Sequence, residues 1–229
     1  MTLEVQRPGQ GRIVLLLIAG IPLTMILAAS WLWYFVANGD LDLVAALGTA
    51  NNGELVTPPR DLQQLPFRDD AGIPYRWDDL DPRWTLVVAA PRGVCNAACE
   101  RRIWLTRQLH VALGRDFNRV RRAVIADAPV ANVALARPDP QPEGWPAGFT
   151  GGALVDYLAL GHTGVVALSL SPEDFDKVFA TAGEAGLDAD PAGWYLVDPG
   201  GWVMMRFPDA LDYKAIISDL KFLLKNSGG

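Results

Sequence analysis

The chain is poor in the side chains from which most catalytic centres are built. Its 229 residues include two cysteines and two histidines. There is no Walker loop, no GxGxxG between a strand and a helix, no GxSxG elbow and no His-rich metal motif. Nucleotide chemistry and serine-hydrolase chemistry therefore have no support. Basic charge is short as well: 20 Lys and Arg stand against 26 Asp and Glu, a net charge of -6. That argues against a nucleic-acid partner, which would need a basic face. Internal repeats and low-complexity segments are absent too.

Apolar residues, by contrast, make up 50% of the chain, enough for a packed core. The first concentration is residues 13–36, IVLLLIAGIPLTMILAASWLWYFV, which carry no charge. About 20 apolar residues cross a bilayer core, so this run spans one with some tilt. Pro22 is tolerated, because a transmembrane helix can re-satisfy the freed backbone groups. Trp31, Trp33 and Tyr34 sit where an interfacial aromatic belt belongs. Arg7 and Arg12 precede the run, and Asp40 and Asp42 follow it. Positive flanks stay in the cytoplasm. The expected layout is a cytoplasmic segment 1–12, a transmembrane helix 13–36 and an exported remainder. In a bacterium with two membranes this is a single-pass inner (cytoplasmic) membrane protein with its C-terminal domain in the periplasm. The competing reading is a signal peptide cleaved near Ala28-Ala29-Ser30. The run is longer than a signal core and continues to Val36, which favours a retained anchor.

Residues 37–80 mix short apolar pieces with turn formers such as Asn51-Asn52-Gly53, Pro58-Pro59 and Asp69-Asp70. They read as a periplasmic tether that becomes a lid or extra hairpin. The domain proper is expected over residues 81–229. Trp84 to Ala90 is a continuous apolar run suited to a buried central strand. A helical stretch follows to about Leu113, stopped by Gly114. Arg119 to Ala126 reads as a second strand, and the Pro- and Gly-rich segment 127–150 as a surface excursion. Val165 to Leu170 reads as a third strand. Ser171-Pro172-Glu173-Asp174 starts a helix well, with Ser as N-cap and acids in the first turn, running to about Ala185. Trp194 to Val197 and Trp202 to Phe207 are strands joined by the turn Asp198-Pro199-Gly200-Gly201. Residues 211–224 form a closing amphipathic helix. The order β-α-β, then α-β-β-α, predicts an α/β, thioredoxin-like domain with a central mixed sheet flanked by helices.

The two cysteines, Cys95 and Cys99, fall just after the first core strand, where a helix begins. An exported chain meets oxidising conditions, so the pair can form a disulfide. The positive end of a helix stabilises a thiolate at Cys95. A spacing of four puts both side chains on one helical face, able to close a disulfide or to hold a soft ion such as Cu(I). A plain structural disulfide is the alternative, although so short a loop constrains little chain entropy.

A strand followed by Cys-x-x-x-Cys on an anchored thioredoxin-like domain resembles the Sco/SenC family of cytochrome c oxidase assembly proteins. The resemblance runs from about Trp84 to the C-terminus. It includes Tyr195-Leu196-Val197-Asp198-Pro199 with Gly201 and the helix around Asp219-Leu220-Lys221. It implies copper carriage or thiol reduction for the oxidase's dinuclear copper centre. Cys95 and Cys99 would be the catalytic thiols, Cys95 attacking and Cys99 resolving, or the copper ligands. The implied partner is an oxidase subunit or another assembly factor. The family's third ligand, a His before the hairpin, has no counterpart in Asp188 to Gly193, and Asn96 and Glu100 stand where the family places prolines.

His110, His162, Met204 and Met205 are the residues that could replace that ligand, but these and the remaining polar residues have plainer readings. His110 is expected to be a surface or packing residue, and His162 to lie in a flexible loop. One of Met204 and Met205 must face the core. Pro191 stands where thioredoxins place a cis-proline, and Asp188 and Asp190 read as a solvated loop. Arg101, Arg102, Arg119, Arg121 and Arg122 are expected in ion pairs or on a solvated face. Two functions remain open: a dithiol or Cu(I)-delivering assembly factor, and a non-catalytic anchored scaffold with a structural Cys pair.

Overall fold

The computed structural model describes residues 10–37, 51–135, 145–182, 188–189 and 193–227. Helix α1, Gln10–Ala37, contains Pro22, and its Val14–Phe35 portion is long and apolar enough to cross a membrane. Residues 51–229 form a compact unit of their own.

That unit is built on an eight-stranded mixed sheet. Its strands are β1 (Glu54–Asp61), β2 (Phe67–Arg68), β3 (Pro74–Tyr75), β4 (Trp84–Ala90), β6 (Val120–Ala126), β9 (Val165–Ser169), β12 (Gly193–Val197) and β13 (Trp202–Phe207). The spatial order is β1-β13-β12-β4-β6-β9-β2-β3. The centre, β4-β6-β9, is parallel, and β12, β13 and β1 add antiparallel. All seven residues of β4 are buried, because helices or loops cover both faces. Alternation then sorts the side chains. Leu86, Val88, Val124 and Leu196 enter one apolar cluster, and Val87, Ile125, Tyr195 and Val197 enter the other.

Helix α2 (Ala97–Ala112), helix α3 (Leu154–Gly161) and helix α5 (Tyr213–Asn226) cover the first face. Helix α4 (Pro172–Phe179) and residues 62–80 cover the second. Ser171 caps α4 as its sequence predicts, accepting from the Asp174 N–H at 3.1 Å. The helix ends at Phe179, short of Ala185. The Arg60 guanidinium takes the carbonyls of Val178 and Ala180 there, and Thr181–Ala182 (β10) pairs with Asp188–Ala189 (β11). Residues 51–80, read from sequence as a tether that becomes a lid or extra hairpin, place three strands in the sheet, of which β2 and β3 are an antiparallel pair. Strand β1 is an edge strand, the position in which Pro58 and Pro59 are tolerated.

Candidate functional site at the Cys95–Cys99 pair

After β4 the chain turns through Arg92 (φ 66°) and Gly93 (φ 60°). The Asp127 carboxylate at the end of β6 holds this turn, accepting from the N–H of Arg92 at 2.6 Å and of Gly93 at 3.0 Å. The chain is thereby aimed into strand β5, Val94–Cys95, which pairs in parallel with β7, Ala134–Leu135. Strand β7 pairs in turn with β8, Gly152–Ala153. Cys95 therefore precedes helix α2 and does not stand on it. Asn96 is the N-cap, its side-chain oxygen accepting from the Cys99 N–H at 3.0 Å. The two cysteines are brought together from a strand end and the first helical turn, and are joined as a disulfide with Cα atoms 5.2 Å apart.

Dithiol exchange or copper delivery needs a sulfur that a partner can reach, and the pair is not accessible in this form. Cys95 is 0% exposed and Cys99 3%. The reason is the segment expected to be a surface excursion. Its described parts carry Val130, Val133, Leu135, Trp145 and Phe149, all buried in the same cluster as the two cysteines. Trp145, Phe149 and Tyr157 of α3 form an aromatic group with ring centroids 5.2–5.7 Å apart. The Trp145 indole N–H donates to the Phe149 carbonyl at 2.8 Å. A Pro- and Gly-rich composition conceals these few large anchors.

Next to Cys99 lies a buried polar group that motif reading missed. Glu100 is 2% exposed, and the Tyr157 hydroxyl donates to its Oε1 at 2.6 Å. Burial raises the Glu100 carboxyl above its usual range, partly offset by that hydrogen bond. The ring of His162 packs against that of Tyr157, centroids 4.8 Å apart. His162 is the C-cap of α3, at the start of the connection to β9 as expected, but it is buried there, and neither ring nitrogen has a hydrogen-bond partner among the described residues. Burial, with Arg122 and Arg107 adding like charge, lowers it to about 4.

The other candidates fall into structural roles. His110 stacks on Phe117 at 3.7 Å and bonds its carbonyl through Nε2. Met205 is the core-facing member of its pair. Arg102 grips Asp209 through two bonds of 2.8 and 2.6 Å, Arg119 pairs with Asp116, and Arg121 donates to the Asp81 carbonyl. Arg122 is buried and donates to the Thr163 carbonyl, while Arg101 is exposed. Asp190 and Pro191 lie outside the described residues. Among the described residues no group of three or more His, Cys, Asp and Glu is placed to hold a metal. Joined as a disulfide, Cys95 and Cys99 offer no thiolate to a copper ion, and the pair must be reduced before both sulfurs can act as ligands.

What the geometry defines is a thioredoxin-like domain with a disulfide between its first core strand and the helix that follows. Residues 84–143 and 175–227 match the family model described as "transmembrane-like, thioredoxin-like, C-terminal domain". Solved structures that resemble the chain include Sco1/SenC proteins and a thiol:disulfide interchange protein, and the likeness is one of fold. Yeast Sco1 is 14% identical over 76% of this chain and 99% of its own, with a TM-score of 0.50. Yeast Sco1 with copper bound is 14% identical over 78% and 96%, with a TM-score of 0.48. A SCO1/SenC family lipoprotein from Bacillus anthracis is 18% identical over 74% and 99%, also at 0.48. No curated protein matches the chain in sequence.

Proposed function

We propose that the chain is a single-pass inner-membrane protein whose periplasmic, Sco-like domain serves the assembly of a respiratory cytochrome c oxidase. In its resting form it acts as an anchored scaffold, not as an open redox centre. Burial of both sulfurs carries this reading, because thiol–disulfide exchange requires a sulfur that a client can reach. The chain then contributes surface and position, and the Cys95–Cys99 bond fastens β5 to α2.

A second reading, dithiol chemistry, is favoured by the place of the bond, at the N-terminus of a helix that follows a core strand. Here the cover must first withdraw. In the reduced pair, the Cys95 thiolate attacks a client disulfide, forming a mixed disulfide and releasing one client thiolate. The Cys99 thiolate then attacks the Cys95 sulfur, which frees the second client thiol and restores the Cys95–Cys99 bond. The client gains two electrons and the chain loses two. Delivery of Cu(I), treated as cargo, would use the same reduced sulfurs.

One experiment separates these readings. A deletion strain is complemented with the Cys95→Ser/Cys99→Ser chain, and oxidase activity is measured at matched protein level. Restored activity supports the scaffold; lost activity with the protein still present supports the dithiol. Adding one equivalent of Cu(I) to the reduced chain and to Cys95→Ser then tests copper separately. Tight binding that the variant loses points to delivery.

A further inference from the structure

Helix α5 carries three of the chain's four lysines. Lys214, Ser218, Lys221 and Lys225 follow the spacing i, i+4, i+7, i+11, which places them in one stripe along the helix. All four are exposed, while Ile216, Leu220 and Leu224 on the far side enter the core. Lys177, the fourth lysine, is held by Glu173 and Asp174, but the three on α5 make no ion pair among the described residues. Arg115 and Arg119, with Asp116, extend the basic surface, lining with Lys221 and Lys225 an open hollow of about 800 Å³. The acid on α5 is Asp219, and it is buried and occupied. Flanking the stripe, Phe222 is 59% exposed. On a chain of net charge -6, this face is strongly positive with an apolar edge.

The chain reaches the domain beside that stripe. Asn52 donates to the Asp219 carboxylate and to the Ala215 carbonyl, so the segment arriving from α1 meets α5 one turn before Phe222. Only residues 38–50 separate α1 from Asn51. A short link holds the domain at high effective concentration over any bilayer that α1 spans.

We propose that the Lys214–Lys221–Lys225 face of α5, with Phe222, is an interfacial surface that seats the domain on anionic phospholipid headgroups. Lysine stems lie along the interface with their ammonium groups among the phosphates, and Phe222 enters the acyl boundary. The inference rests on α1 being a membrane anchor, as proposed above. An acidic protein could meet the same charges. The exposed aromatic beside the point where a membrane-directed link enters fits a lipid surface better.

The test is lysine footprinting of the full chain in nanodiscs, with acetylation of each lysine followed by mass spectrometry. From phosphatidylcholine to phosphatidylglycerol discs, acetylation of Lys214, Lys221 and Lys225 should slow by roughly fivefold or more, the scale expected for one basic side chain at an anionic surface. Lys177 should keep its rate as the internal control. Salt at about 0.5 M, which shortens the screening length to a few ångströms, should abolish the slowing. In Lys221→Gln/Lys225→Gln, Lys214 should recover its rate in phosphatidylcholine discs. Equal rates in the two lipids, or equal slowing at Lys177, overturn the proposal. Retention on phosphatidylcholine discs in the same salt tests the anchor by itself. If the chain is not retained, the rates in chain mixed with phosphatidylglycerol vesicles still decide the role of α5.

Discussion

Glu100 and His162 both contact Tyr157, one through its hydroxyl and one through its ring, and their pKa values shift in opposite senses. Burial raises Glu100 above its usual 4.5, so the fold favours its protonated form. Its contribution to stability is fully present below the unfolded value and is lost as pH rises through the folded one. His162 is lowered from 6.5 to about 4, so the fold favours the neutral ring. Its contribution is present above 6.5 and is lost as pH falls towards 4. Urea unfolding read as a difference from wild type isolates each group. Glu100→Gln should gain stability relative to wild type as pH rises from about 4 to 8. His162→Phe, which keeps a ring against Tyr157, should gain as pH falls from about 7 to 4. Tyr157→Phe leaves a buried carboxyl without its donor and should cost about 1–3 kcal/mol. A flat difference profile for either titrating variant would contradict the assignment. This network was not legible in the motifs, where Glu100 stood only in the place of a family proline and His162 in a loop. The role of Glu100 comes from a tyrosine 57 residues away in sequence.

At the scale of elements, the junction between residues 51–54 and α5 hangs on one carboxylate. Asp219 accepts from the Asn52 N–H at 2.9 Å, the Asn52 amide at 2.7 Å and the Gly53 N–H at 2.9 Å. Gly53 has no room for a side chain: a Cβ there would sit 2.5 Å from the Met205 sulfur. Asp219→Ala strands these donors and should cost about 2–3 kcal/mol, since bonds to charged groups sit at the strong end of the range. Hydrogen exchange at Asn52 and Gly53 should quicken in step. The central elements were readable because each carried its own signal: an unbroken apolar run for β4, a Ser-Pro-Glu-Asp start for α4, a Pro-Gly-Gly turn before β13. Strand β1, residues ELVTPPRD, carried none. Its place comes from β13, some 140 residues on, which supplies the backbone partners. The Asn96 cap was readable in principle, as an Asn three residues before the Cys99 amide it binds.

For the molecule as a whole, the disulfide closes a very short loop, so its entropic contribution is small. Cys95→Ala/Cys99→Ala should lower stability by only about 2 kcal/mol in the chain-entropy picture. A much larger loss would show that β5, β7 and β8 depend on the bond for their order. The pairing region of the cysteines was legible; their burial was not. It depends on Trp145 and Phe149, from a stretch whose composition resembles a loop, packing with Tyr157 of α3 into the same cluster.

The two rims of the eight-stranded sheet are both finished by one stretch of chain, β1 against β13 and the β2–β3 pair beside β9. A single piece lying ahead of the first core strand thus acts as both bookends. A chain lacking residues 51–76 would present bare backbone along β13 and β9 at once. It would also lose Val56, Leu62 and Phe67 from the second apolar cluster, and it should polymerise edge to edge.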